Sequence, residues 1–75
     1  MRKPVLYFPM IRNLREEACL TQFQVASSIG VDRAVYSRYE NGMRRCPTEV
    51  IMNLARFYDV PPDDILRSGV IRKDD

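Results

Sequence analysis

Residues 21 to 42, TQFQVASSIGVDRAVYSRYENG, constrain this chain more than any other stretch, because they set two helix starts and two helix stops close together. Thr21 followed three positions later by Gln24 forms a capping box. The Thr side chain accepts a first-turn amide and the Gln reaches back to the Thr N–H, so a helix is expected from Gln22. Val25, Ala26 and Ile29 recur at helical spacing on one face. Gly30 ends that helix by supplying the positive φ of a tight exit, and Val31 is the apolar residue of the turn. Asp32 is a good N-cap for a second helix over 33 to 41. That helix turns Val35, Tyr36 and Tyr39 inward and leaves Arg33, Ala34, Ser37 and Arg38 outside, and Asn41-Gly42 closes it.

The flanking segments supply three further helices. Pro9 suits a first helical position, and Met10, Ile11, Leu14 and Ala18 then share an inner face while Arg12, Arg15, Glu16 and Glu17 are assigned to water. Leu20 is expected in the core. A fourth helix over about 47 to 58 buries Ile51, Leu54, Ala55 and Tyr58, with Val50 and Met52 at its margins; Met43 and Phe57 suit either core-edge packing or an interface. After Asp59-Val60-Pro61-Pro62 a last short helix begins with Asp63 and Asp64 favouring its positive end, carries Ile65 and Leu66, and stops at Gly69. Residues 68 to 75 are read as a flexible tail. Residues 1 to 8 are read as an arm. Its aromatics either pack on the domain edge, or the arm pairs with a second chain or reaches out to place Arg2 and Lys3 near phosphate.

Composition narrows the function. Seventy-five residues make one domain near the lower size limit for a self-sufficient core, so a partner is a reasonable expectation. The net charge of +2 is uninformative, but Arg33, Arg38, Arg44 and Arg45 are opposed over that span only by Glu40. Such segregation, with ten of the twelve cationic residues being Arg, points to phosphate and guanine edges, against the alternative of a plain solvated face. Histidine is absent, and Cys19 and Cys46 have no CxxC spacing. A zinc site is therefore excluded, and both thiols are expected as small buried or half-buried hydrophobes in a reducing cytoplasm. No signal peptide or membrane span is present, and nothing calls for a cofactor or small-molecule ligand. Enzymatic activity has no nucleophile–base pair, metal set or Gly-rich phosphate loop to support it.

The spacing of Ala26, Gly30, Val25, Ile29, Val31, Tyr36 and Tyr39 is that of a helix-turn-helix. With IRNLREEACLTQ at 11 to 22, SRYENG at 37 to 42 and NLARFYDV at 53 to 60, the chain resembles the Xre-type, lambda-repressor-like regulators of bacteria and phages over residues 9 to 67. The resemblance implies an all-α, compact five-helix DNA-binding domain, cytoplasmic and working on double-stranded DNA as a homodimer. It implies base reading by Arg33, Ala34, Ser37 and Arg38 from a helix in the major groove. Phosphate contacts are expected from Gln22, Asn41, Arg44 and Arg45. Two departures stand out: Asp32 would repel phosphate where relatives carry Ser or Thr, so it is kept as a cap only, and Cys46 stands where many members have proline. Tyr36 and Tyr39 replace aliphatic residues and are expected to hold their hydroxyls at the surface edge.

The expected role is a transcriptional repressor on an inverted repeat; the alternative is a protein-interaction module on the same fold, antitoxin-like or bound by an antirepressor. At this length no separate dimerisation or sensing domain is expected, so self-association falls to helices four and five, the arm or the DNA.

Overall fold

A computed structural model describes residues 4–72. In chain order the elements are β1 (Val5–Tyr7), α1 (Met10–Glu17), α2 (Gln22–Ser28), α3 (Arg33–Glu40), α4 (Thr48–Tyr58), α5 (Pro62–Arg67) and β2 (Val70–Arg72). The five helices surround one core in which Ile11 from α1, Val25 from α2, Tyr36 from α3, Ile51 and Leu54 from α4 and Ile65 from α5 are fully buried. Every helix contributes an apolar face to that shared interior, so none need be stable alone.

Four helices end by the same device. The residue just past the last turn adopts a left-handed conformation, and the next amide reaches back to the carbonyl five residues earlier. After α1 this residue is Cys19 (φ 58°), with Leu20 N donating to Arg15 O at 3.1 Å. After α2 it is Gly30 (φ 72°), with Val31 N on Ala26 O at 2.9 Å; after α3 it is Gly42 (φ 71°), with Met43 N on Arg38 O at 3.0 Å. After α4 it is Asp59 (φ 55°), with Val60 N on Ala55 O at 3.0 Å. These four are the positive-φ positions among the described residues, so left-handed backbone serves here to stop helices quickly and reverse the chain. The capping box at Thr21 and Gln24 forms as expected, with bonds of 3.1 and 2.8 Å, and Asp32 accepts from the amides of Ala34 and Val35.

Beyond the helices, the two chain ends form a small antiparallel ribbon pairing Val5 with Arg72, Leu6 with Ile71 and Tyr7 with Val70. The arm over 1 to 8 and the flexible tail over 68 to 75 are thereby corrected where they are described, since 5 to 7 and 70 to 72 are paired strands, while the packing expected of the arm's aromatics is present at Phe8, which is buried in the core. Each strand is three residues long, too short to show an alternating pattern by itself, and its partner lies at the other end of the sequence. Arg2 and Lys3 fall outside the described residues. Two assignments just past α1 also change, because Ala18 and Cys19 are exposed at the turn rather than inside. Cys46, by contrast, is buried at 1% exposure, and burial pushes its thiol pKa up to about 12.

Candidate nucleic-acid interface

At 100° per residue, the side chains of α3 divide into two arcs. Taking Arg33 as the origin, Ala34, Ser37 and Arg38 fall within about 140° of it on one side, while Val35, Tyr36, Tyr39 and Glu40 occupy the other side. The structure keeps this division. Arg33, Ala34 and Arg38 are exposed and Ser37 is half-buried, whereas Tyr36, Tyr39 and Glu40 are buried. Ser37 and Asn41, one turn apart, are joined by a bond from Asn41 Nδ2 to Ser37 Oγ at 3.3 Å. The amides of Met43 and Arg44 both donate to Arg38 O, which folds the start of the following loop back onto the end of α3. Arg44 and Arg45 are exposed on that loop. Among the described residues none forms an ion pair with Arg33, Arg38, Arg44 or Arg45, so these four guanidinium groups are available to an anionic partner.

Gln22 sits differently from the rest of the expected set. Half-buried at the first position of α2, it donates from Nε2 to Glu40 Oε1 at 3.2 Å. A primary amide carries two N–H donors, so this bond leaves one free.

Glu40 is the centre of a polar cluster that the sequence reading missed. Arg15, assigned there to water, instead crosses from α1 and grips the Glu40 carboxylate from two nitrogens, Nε to Oε2 at 2.7 Å and Nη2 to Oε1 at 3.0 Å. Its Nη1 also holds Leu20 O at 2.9 Å. The side chain of Arg15 is 12% exposed and that of Glu40 fully buried. Burial is the largest single influence on Glu40 and by itself would raise its pKa. Bonds from Arg15 and Gln22, with the Tyr36 hydroxyl close by, together outweigh it and hold the carboxyl below its ordinary value. The same pair raises the pKa of Arg15, chiefly through its bond to Glu40.

Tyr36 is fully buried, hydroxyl included, which corrects the expected placement at the surface edge. That hydroxyl has no partner of full hydrogen-bond geometry among the described residues, yet it lies near enough to Glu40 to favour the carboxylate. Burial drives its own pKa well above the phenol range. One signal in the sequence did point to this cluster: Glu40 lies on the inward arc of α3 beside Tyr36, and a charge there requires a partner.

Among the described residues no group of His, Cys, Asp or Glu is arranged to hold a metal ion, and no helix is long and apolar enough to cross a membrane.

Comparison with known proteins places this arrangement. A family model for a helix-turn-helix domain matches residues 10–67. The cryptic phage CTXphi transcriptional repressor RstR of Vibrio cholerae is 41% identical over 56 residues, which span 75% of this chain and 50% of that protein. Antitoxin PezA of Streptococcus pneumoniae is 38% identical over 56 residues, spanning 75% of this chain and 35% of that protein. This chain thus spans about half the length of the first curated relatives it matches. The crystal structure of the restriction-modification controller protein C.AhdI from Aeromonas hydrophila superposes with a TM-score of 0.69 at 31% identity, covering 73% of this chain and 83% of that one. A five-helix core with an exposed, arginine-bearing α3 and a family match from α1 through α5 lead to one assignment: the chain belongs to the Xre-type, lambda-repressor-like helix-turn-helix family.

Proposed function

We propose that this chain is a sequence-specific DNA-binding transcriptional regulator, acting in the cytoplasm as a repressor on an inverted repeat. The observation that carries the reading is the outer arc of α3, where Arg33, Ala34 and Arg38 are exposed and the arginines have no anionic partner among the described residues. A helix fits the B-DNA major groove, and a guanidinium can take guanine O6 and N7 together. Arg33, Ala34, Ser37 and Arg38 read base edges. Asn41, Arg44 and Arg45 meet the phosphate backbone, and Gln22 does so through the N–H that Glu40 leaves free. A single headpiece makes few contacts, so two copies bind half-sites about one helical turn apart.

The match to antitoxin PezA favours a second reading, in which the same fold serves chiefly to bind a protein partner.

One experiment separates the two. Selection from a randomised duplex pool yields an enriched sequence under the first reading. Arg38→Ala then weakens binding to it by roughly 5- to 150-fold, the range of one bidentate base contact, while binding to random duplex falls far less. A pool with no enrichment, or equal loss on both duplexes, removes the base-reading role.

A further inference from the structure

The terminal ribbon sits against the end of α3. Register places Val5 opposite Arg72 and Tyr7 opposite Val70, so Tyr7 and Arg72 emerge on one face of the ribbon. That face covers Gly42: a Cβ built there would stand 3.0 Å from both Arg72 Cδ and Tyr7 Cδ1. From this position Arg72 Nη1 donates to Asn41 O at 2.8 Å and contacts Met43 Sδ at 2.7 Å. Asn41 caps the C-terminus of α3, where carbonyls have no helical amide to accept from. A guanidinium there satisfies one of them and stands at the negative end of the helix dipole. A residue from the far end of the chain thus clamps the first residues of the loop carrying Arg44 and Arg45.

Resting on the DNA-binding reading above, we propose that Arg72 is a positioning residue for phosphate contact. It holds residues 41 to 45 in one path, so that Asn41, Arg44 and Arg45 arrive at the backbone already ordered, and it acts through them instead of touching DNA. Its Nη1 is directed inward, to the chain it holds. Fixing a loop before binding removes an ordering cost that would otherwise be met on the DNA.

The test uses the full chain and the duplex enriched by selection. Arg72→Ala should weaken binding about tenfold, the scale of one charge-assisted bond, and Arg72→Lys should restore part of the loss because an ammonium can still reach Asn41 O. In an Asn41→Ala/Arg44→Ala/Arg45→Ala background, which removes all three positioned side chains and is measured at lower salt where affinity recovers, Arg72→Ala should cost less than about twofold. Without DNA, Arg72→Ala should speed amide exchange at Met43 and Arg44 and leave Ile51 and Leu54 unchanged. An equal loss in both backgrounds makes Arg72 a direct contact and overturns the proposal, as does unchanged exchange at Met43 and Arg44. If the wild-type chain enriches no duplex, the DNA-binding reading fails and the role of Arg72 in binding falls with it. The exchange measurement still reports whether Arg72 orders the loop.

Discussion

Arg15 and Glu40, 25 positions apart in the chain, meet through two hydrogen bonds of 2.7 and 3.0 Å, and this pair joins α1 to the last turn of α3. The fully buried carboxylate is tolerable only because a guanidinium matches both of its oxygens, the geometry in which an ion pair is strongest. Because Gln22 bonds the same carboxylate, Glu40 also links the start of α2 to the end of α3. The relative placement of the two helices of the motif therefore depends on a charge pair contributed partly by a third helix.

Removing Arg15 leaves the buried Glu40 carboxylate with the Gln22 amide but without its countercharge. Arg15→Ala should cost about 3–5 kcal/mol, a large share of the roughly 4–11 kcal/mol expected of a chain this size. The double variant Arg15→Met/Glu40→Leu should be less destabilised than Arg15→Ala, since no buried charge remains. Urea unfolding of the single and double variants measures both values. Strictly additive losses, or a single variant within 0.5 kcal/mol of wild type, would contradict the role given to the pair.

Stability should fall at both ends of the pH scale, for opposite reasons. Glu40 has its folded pKa lowered, so its contribution is fully present above the ordinary carboxylate value of 4.5 and is lost as pH falls below it. Cys46 and Tyr58 have folded pKa values raised by burial, from 9.0 and 10.0 respectively to about 12. Unfolded chains release these protons first, so stability holds below pH 9 and declines between 9 and 12. Cys46 alone contributes a slope of about 1.4 kcal/mol per pH unit inside that window. Chemical denaturation as a function of pH reads the slope, and Cys46→Ala should flatten it between pH 9 and 10. An unchanged slope in that variant would count against the assignment.

Gly30 and Gly42 occupy equivalent positions after α2 and α3, with φ of 72° and 71°, but their surroundings differ. A Cβ at Gly30 would meet nothing within 4 Å, so Gly30→Ala carries backbone strain alone, about 1 kcal/mol. At Gly42 the same atom would press on Tyr7 and Arg72 at 3.0 Å, so Gly42→Ala adds displacement of the ribbon, about 1–3 kcal/mol more. Thermal unfolding of the two variants compares them directly. Equal losses would mean that the ribbon yields freely and does not clamp the end of α3.

Much of this protein was readable before any coordinate. The capping box at Thr21, the stop at Gly30, the cap at Asp32 and the two arcs of α3 are local properties. Each depends on residues within about one helical turn, where side-chain chemistry and backbone geometry act directly on one another. The exposed base-reading candidates follow from the same periodicity. What the tertiary structure alone decided are the relations across long separations. These are Arg15 drawn from expected solvent to Glu40, Tyr36 buried to its hydroxyl, and the ribbon from both chain ends that places Arg72 on Asn41. An arginine on a helix surface and a three-residue apolar run look alike in sequence whether or not they have a distant partner. Only packing, which brings residues 15 and 40 or 41 and 72 into contact, distinguishes a solvated charge from one that organises the interior.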